Sequence, residues 1–169
     1  MMWIFLVSDT FVFSIFFILA SCQKPEDKID QLRQELKTNT TQSEKIKIID
    51  KIAKIEHNRA SSVLLNTLGD INYRDVHSRV ILALGEVRPI HKQTVSRLLE
   101  KLSDIAFRDD IIKSIVLIGP EATSAVIKQL ASEDEDTRNS AFYVLSQMGE
   151  PAAQEILNSL EDSNPNVRS

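Results

Sequence analysis

The sequence predicts an all-α chain, an α-solenoid of stacked helix pairs that follows an N-terminal signal peptide. Three observations carry that reading. Arg108, Arg138 and Arg168 stand 30 residues apart, each after an acidic, polar turn. Within each interval apolar residues recur at the spacing of a helix face. The first 21 residues, by contrast, are apolar without any such spacing.

The chain opens MMWIFLVSDTFVFSIFFILASC. Thr10 to Ala20 is almost wholly apolar, too short and too close to Asp9 for a good membrane span and suited to a signal-peptide core. Leu19-Ala20-Ser21-Cys22 resembles the lipobox of bacterial lipoproteins. The resemblance implies cleavage between Ser21 and Cys22, a diacylglycerol on the Cys22 sulfur and an acyl group on the new amino terminus. Cys22 is the only cysteine, so no internal disulfide competes for it. No Lys or Arg precedes it, where a positive segment is usual. An uncleaved anchor helix and a buried N-terminal helix are the other readings. Length and Asp9 count against the first, the lack of a polar face against the second.

Residues 22–42 turn polar. Ile29, Leu32 and Leu36 form one helical stripe, and Pro25 with Glu26 and Asp27 suits a helix start. We expect a short capping helix over the first repeat, because terminal units of a stack need a cover with a polar outer face; a membrane-surface helix is the other reading, against which stand a narrow stripe and a polar face of mixed charge.

Residues 43–169 hold about four repeats and the start of a fifth. Counting from each arginine, Gly119 and Gly149 share one slot, Val126 and Ile156 another, Leu130 and Leu160 a third. Stepping back 31 residues gives His77, Arg88, Val95 and Leu99, and another 31 gives Ile46, His57, Leu64 and Leu68. The first helix of each copy carries three apolar columns. They are Ile49, Val80, Ile111, Ala141; then Ala53, Leu84, Ile115, Leu145; then Glu56, Val87, Ile118, Met148, in which only Glu56 fails. Gly-Pro-Glu-Ala and Gly-Glu-Pro-Ala end one helix and begin another. The second helix is expected to bury the Val126 and Leu130 type of pair. A lone helix pair leaves an apolar side uncovered, so the units stack.

These residues resemble the short HEAT-like repeats first named from phycobilisome lyases, over roughly Ser43 to Ser169 and best from Arg108 to Arg168. The resemblance implies a structural ladder between adjacent repeats from a turn carboxylate to a helix-start arginine, here Arg108, Asp136, Arg138, Asp162 and Arg168. His77 and Ile46 depart from the arginine slot, so the ladder is expected in the later copies. Relatives that attach chromophores make a lyase or chaperone-like subunit one alternative function. A purely structural envelope lipoprotein is another. A shared fold by itself carries no chemistry.

The full chain carries 20 basic and 24 acidic residues. Loss of residues 1–21 removes only Asp9, leaving a net charge near −3, and five of the seven phenylalanines. No basic stripe with interleaved aromatics suggests nucleic acid. No phosphate loop, nucleophile–base set or close-spaced metal ligands appear, so no catalytic residue, cofactor, metal or small-molecule substrate is assigned. His57 and His91 fall in turns and His77 in a repeat slot. The Glu133–Asp136 run lacks the glycine and ligand spacing of a calcium loop and reads as a helix start.

The expected function is a lipid-anchored, non-catalytic scaffold of the bacterial cell envelope that binds a protein or peptide partner and meets the membrane through Cys22. The mature second position is not Asp, which points to the outer membrane. Its contact set would be the polar positions of the second helices: Gln93, Thr94, Arg97, Glu100, Lys101, Ser124, Lys128, Gln129, Gln154, Glu155 and Asn158. Asp162 to Arg168 reads as the opening of a further repeat, an expectation of a longer array.

Overall fold

Helix starts and stops written into the sequence divide the chain into short helices. The computed structural model describes residues 24–39 and 41–160, apart from the side chains of residues 151 and 158–160. The apolar N-terminal segment, Ser21, Cys22, Asp162 and Arg168 lie outside the described residues. Among those described there are nine α-helices, a 3-10 helix and no strand. None of the helices is long and apolar enough to cross a membrane.

Helix α1 (Pro25–Thr38) has its proline in the first turn, Glu26 and Asp27 at its positive end and Lys37 at its negative end. It buries Ile29, Leu32 and Leu36 against α2 (Gln42–Ala53) and α3 (Asn58–Gly69). The turn from α1 to α2 is short, because α1 runs to Thr38 and Thr41 already caps α2. The Thr41 hydroxyl accepts from Glu44 N at 3.4 Å and donates to the Glu44 carboxylate at 2.7 Å, which places both groups at the open end of the helix.

A 3-10 helix (Ile71–Val76) leads into α4 (His77–Glu86), followed by α5 (Thr94–Leu99), α6 (Arg108–Ile118), α7 (Pro120–Gln129), α8 (Glu135–Met148) and α9 (Glu150–Leu160). Gly119 and Gly149 take positive φ values of 78° and 68° between the last two pairs, where a side chain would be strained. Arg88 holds the corresponding slot before α5. Its guanidinium donates to the carbonyls of Gly85 and Val87 at 2.8 and 2.9 Å.

Contacts follow the repeat. The first helices meet in the order α2, α4, α6, α8, and the second helices in the order α3, α5, α7, α9. The predicted apolar columns lie in the core between them. Ile49, Val80, Ile111 and Ala141 are all fully buried, as are Leu84 and Ile115 in the second column. Burying one such side chain is worth about 1.5 to 3 kcal/mol, so these columns dominate the cohesion of the body. Glu56 is exposed, the break in the third column.

The most extensive contact joins α4 to α6. Gly85 makes it possible, since a Cβ there would stand 2.8 Å from the Ser114 carbonyl oxygen. Leu68 and Leu99 are buried as expected, and one position of their column is not. Val126 is buried, but Leu130 is 37 % exposed because α7 ends at Gln129 and Leu130 already turns outward.

Candidate functional site

The polar positions of the second helices face two adjoining open troughs. The first, of about 930 Å³, lies between α3 and α5 and is lined by Leu65, Leu68 and Ile71 on one side and Gln93, Arg97 and Lys101 on the other. The second, of about 620 Å³, lies between α5 and α7 and includes Lys128, Gln129 and four serines, Ser96, Ser103, Ser124 and Ser132. Glu100 lines both. Small serine side chains leave the second trough open, while Ile71, 69 % exposed, gives the first an apolar wall.

Of the contact residues expected from sequence, Gln93, Arg97, Glu100, Lys101, Ser124, Lys128 and Gln129 therefore meet along one continuous depression. Gln154 and Glu155 sit on α9 outside both troughs, and the Asn158 side chain lies outside the described residues. Thr94 is a correction. It is fully buried, because α5 is only six residues long and turns that position onto the core. Arg97 donates to Glu100 at 3.2 Å, so part of the charge of the depression is already compensated.

The turns between repeats carry the second candidate set. Arg108 reaches Asp136 at 3.6 Å. Arg138 serves its own turn, donating to the carbonyls of Ser132 and Glu133 at 2.7 and 2.8 Å. Arg108 likewise donates to Leu102 O at 3.1 Å. His77 has the same task in its copy: its Nε2 lies 3.2 Å from Asp70 O, and since a carbonyl only accepts, Nε2 carries the proton. In these three copies the slot thus holds a donor that reaches back six or seven residues, and histidine serves as well as arginine.

Ion pairs at repeat spacing also occur in the earlier copies, where sequence gave no expectation of them. Lys45 meets Asp75 at 3.1 Å and Arg74 approaches Asp104 at 3.9 Å, with the cation one or three residues ahead of the slot. A further pair, Asp30 with Arg59, joins α1 to α3 at 2.6 Å. Arg79 binds Asp50 of the previous copy and Glu86 of its own helix. Hydrogen bonding to Glu86 is the main influence raising its guanidinium above the ordinary value, with Asp50 adding to it. The visible signal was a cation and a carboxylate separated by about one repeat.

His57 and Asp134 cap helices, and His91 closes the turn before α5. His57 Nδ1 accepts from Arg59 N, and His91 Nδ1 from Gln93 N, both at 3.2 Å. Asp134 caps α8 by accepting from Thr137 N at 2.9 Å and from the Thr137 hydroxyl, which holds its carboxyl below the usual range. Among the described residues no three His, Cys, Asp or Glu side chains are grouped as a metal site would need. No profile of a known protein family matches the chain, and no characterised protein matches it significantly.

Proposed function

We propose that the protein is a lipid-anchored scaffold of the bacterial cell envelope, a HEAT-like α-solenoid that binds an extended peptide or protein segment along its second helices and performs no catalysis. The observation that carries the binding part of this reading is the depression from Ile71 to Gln129. It passes Gln93, Arg97, Glu100, Lys101 and Lys128, the polar positions that the repeat register assigns to a single side. Its apolar wall and its mixed charges suit a peptide with both apolar and polar side chains better than a uniformly charged polymer.

The anchoring part rests on Leu19-Ala20-Ser21-Cys22. Several acyl chains on Cys22 would hold the chain firmly, where a single chain binds only marginally. The domain reading is a signal peptide over 1–21, a lipidated, capped N-terminus over 22–42 and a repeat body over 43–169.

Photo-crosslinkers placed at Gln93 and Lys128 in intact cells, compared with one at Lys113 on the first-helix side, test the binding site. A discrete adduct from the first two and none from Lys113 is expected; equal adducts from all three would remove the assignment. Labelling with a palmitate analogue tests the anchor, with label on the wild type and none on Cys22→Ser expected.

A further inference from the structure

The contacts of α1 bring together charges that the sequence scatters. Glu26 lies 3.5 Å from His57, and Asp30 2.6 Å from Arg59, so the start of α1 sits beside the turn from α2 to α3. The Ser61 hydroxyl donates to Pro89 O at 3.3 Å, which sets the turn from α4 to α5 alongside. Arg88 in that turn donates onward to Leu117 O at 3.2 Å. One edge of the body is therefore built from the start of α1 and the turns within the first two helix pairs.

That edge is rich in cations. Lys24, Lys28, Lys51, Lys54, Arg88 and Lys92 are all exposed on it, and none forms an ion pair with a described residue. Two carboxylates there are engaged by arginine, Asp30 with Arg59 and Glu86 with Arg79, and Glu26 lies against the His57 ring. Asp27 and Glu56 alone stand without such a partner among the described residues. The turns between repeats, at the opposite ends of the same helices, carry Asp70, Asp75, Asp104 and the Glu133–Asp136 run, with Lys45, Arg74 and Arg108 paired to three of these carboxylates. The turns of the last two pairs offer Glu121 and Glu150 and no cation, so the basic character is confined to the half next to α1.

We propose that this basic edge is a contact surface for anionic phospholipid headgroups. Its closeness to a bilayer rests on the Cys22 anchor reading; its charge does not. Cys22 and Pro25 are three residues apart, at most about 10 Å of extended chain. That is comparable to the roughly 8 Å over which salt screens charge, so an anchored body would hold Lys24 and Lys28 near the headgroups and turn the edge they share toward them. Each cation beside an anionic leaflet adds about fivefold to partitioning. The edge thus supplies a second attachment and orients the body, with the acidic turns directed away.

The test uses the full chain carrying Cys22→Ser, so that acylation contributes nothing, and measures partitioning onto phosphatidylcholine vesicles with and without phosphatidylglycerol. Phosphatidylglycerol should strengthen binding by at least about tenfold, and high salt should abolish that gain. Lys51→Gln/Lys54→Gln/Lys92→Gln should lose most of it, while Lys37→Gln/Lys101→Gln/Lys128→Gln, with the same loss of charge elsewhere, should keep it. The salt dependence of the parent stands as evidence even if a triple variant folds poorly. Binding indifferent to phosphatidylglycerol, an equal loss in both triple variants, or equally tight binding of a DNA oligonucleotide would overturn the proposal. Persistence of the gain in a protein that takes no palmitate label at Cys22 would remove the anchor and leave this surface standing.

Discussion

Gly85 shows how much one residue decides. Placing Ala there gains about 1 kcal/mol of helix propensity, but the added Cβ meets the Ser114 carbonyl at 2.8 Å, and backbone on both sides leaves little room to yield. Overpacking of this kind costs about 1 to 3 kcal/mol, so Gly85→Ala should lower stability and Gly85→Val should lower it further, as urea denaturation would read. Gly69 has nothing within 4 Å, and Gly69→Ala should leave the midpoint unchanged or raise it. Asp134 gives a pH prediction. Its bonds from Thr137 depress the folded carboxyl below its ordinary 3.8, so its contribution is complete above that value and fades as pH falls through it toward the depressed one. Asp134→Ala should lower the melting temperature at neutral pH and make its decline in acid shallower. The sequence exposed neither effect fully: the Gly85 slot carries no turn signal, whereas Asp134 before Thr137 is a legible cap.

At the scale of elements, what could be read was periodicity, and what could not was reach. Ile49, Val80, Ile111 and Ala141 are spaced by the repeat and all lie in the core, so a face count found them. Leu130 and Thr94 had the right spacing but sit at the end and start of short second helices, where a residue's direction depends on where the helix stops. The ladder was legible only where arginine filled the slot. In the earlier copies the cation had moved to Lys45 or Arg74, and only the three-dimensional stacking shows that it still meets a carboxylate one repeat later. Pairs of this sort, half-buried at the cation in Lys45 but open to water at the carboxylate, are worth about 0 to 1 kcal/mol. Lys45→Met should therefore change stability little, whereas Leu32→Ala in α1 should cost about 2 to 5 kcal/mol by opening a cavity under the covering helix. Comparing the two by denaturant midpoint separates registration from cohesion.

For the whole molecule, the consequence of the solenoid reading is that cohesion passes between neighbours and no further. Leu84 in α4 and Ile115 in α6 belong to successive copies whose helices form the most extensive contact in the body. Ile49 in α2 and Leu145 in α8 are two copies further apart, and no extensive contact joins their helices directly. Each truncation to Ala should cost about 2 to 5 kcal/mol where the side chain is fully buried. The double variant Leu84→Ala with Ile115→Ala should depart from additivity by about 0.5 to 3 kcal/mol, because both sites share one packed interface. Ile49→Ala with Leu145→Ala should add to within about 0.5 kcal/mol if unfolding stays all-or-none. A linear stack permits one more outcome, in which the distant pair broadens the transition as one end melts before the other. Calorimetric and van't Hoff enthalpies of that double variant would then diverge, while those of Leu84→Ala/Ile115→Ala would still agree. Strong coupling between Ile49 and Leu145 with a sharp single transition would instead mean that the body folds around one undivided core, and stacked units would be the wrong description.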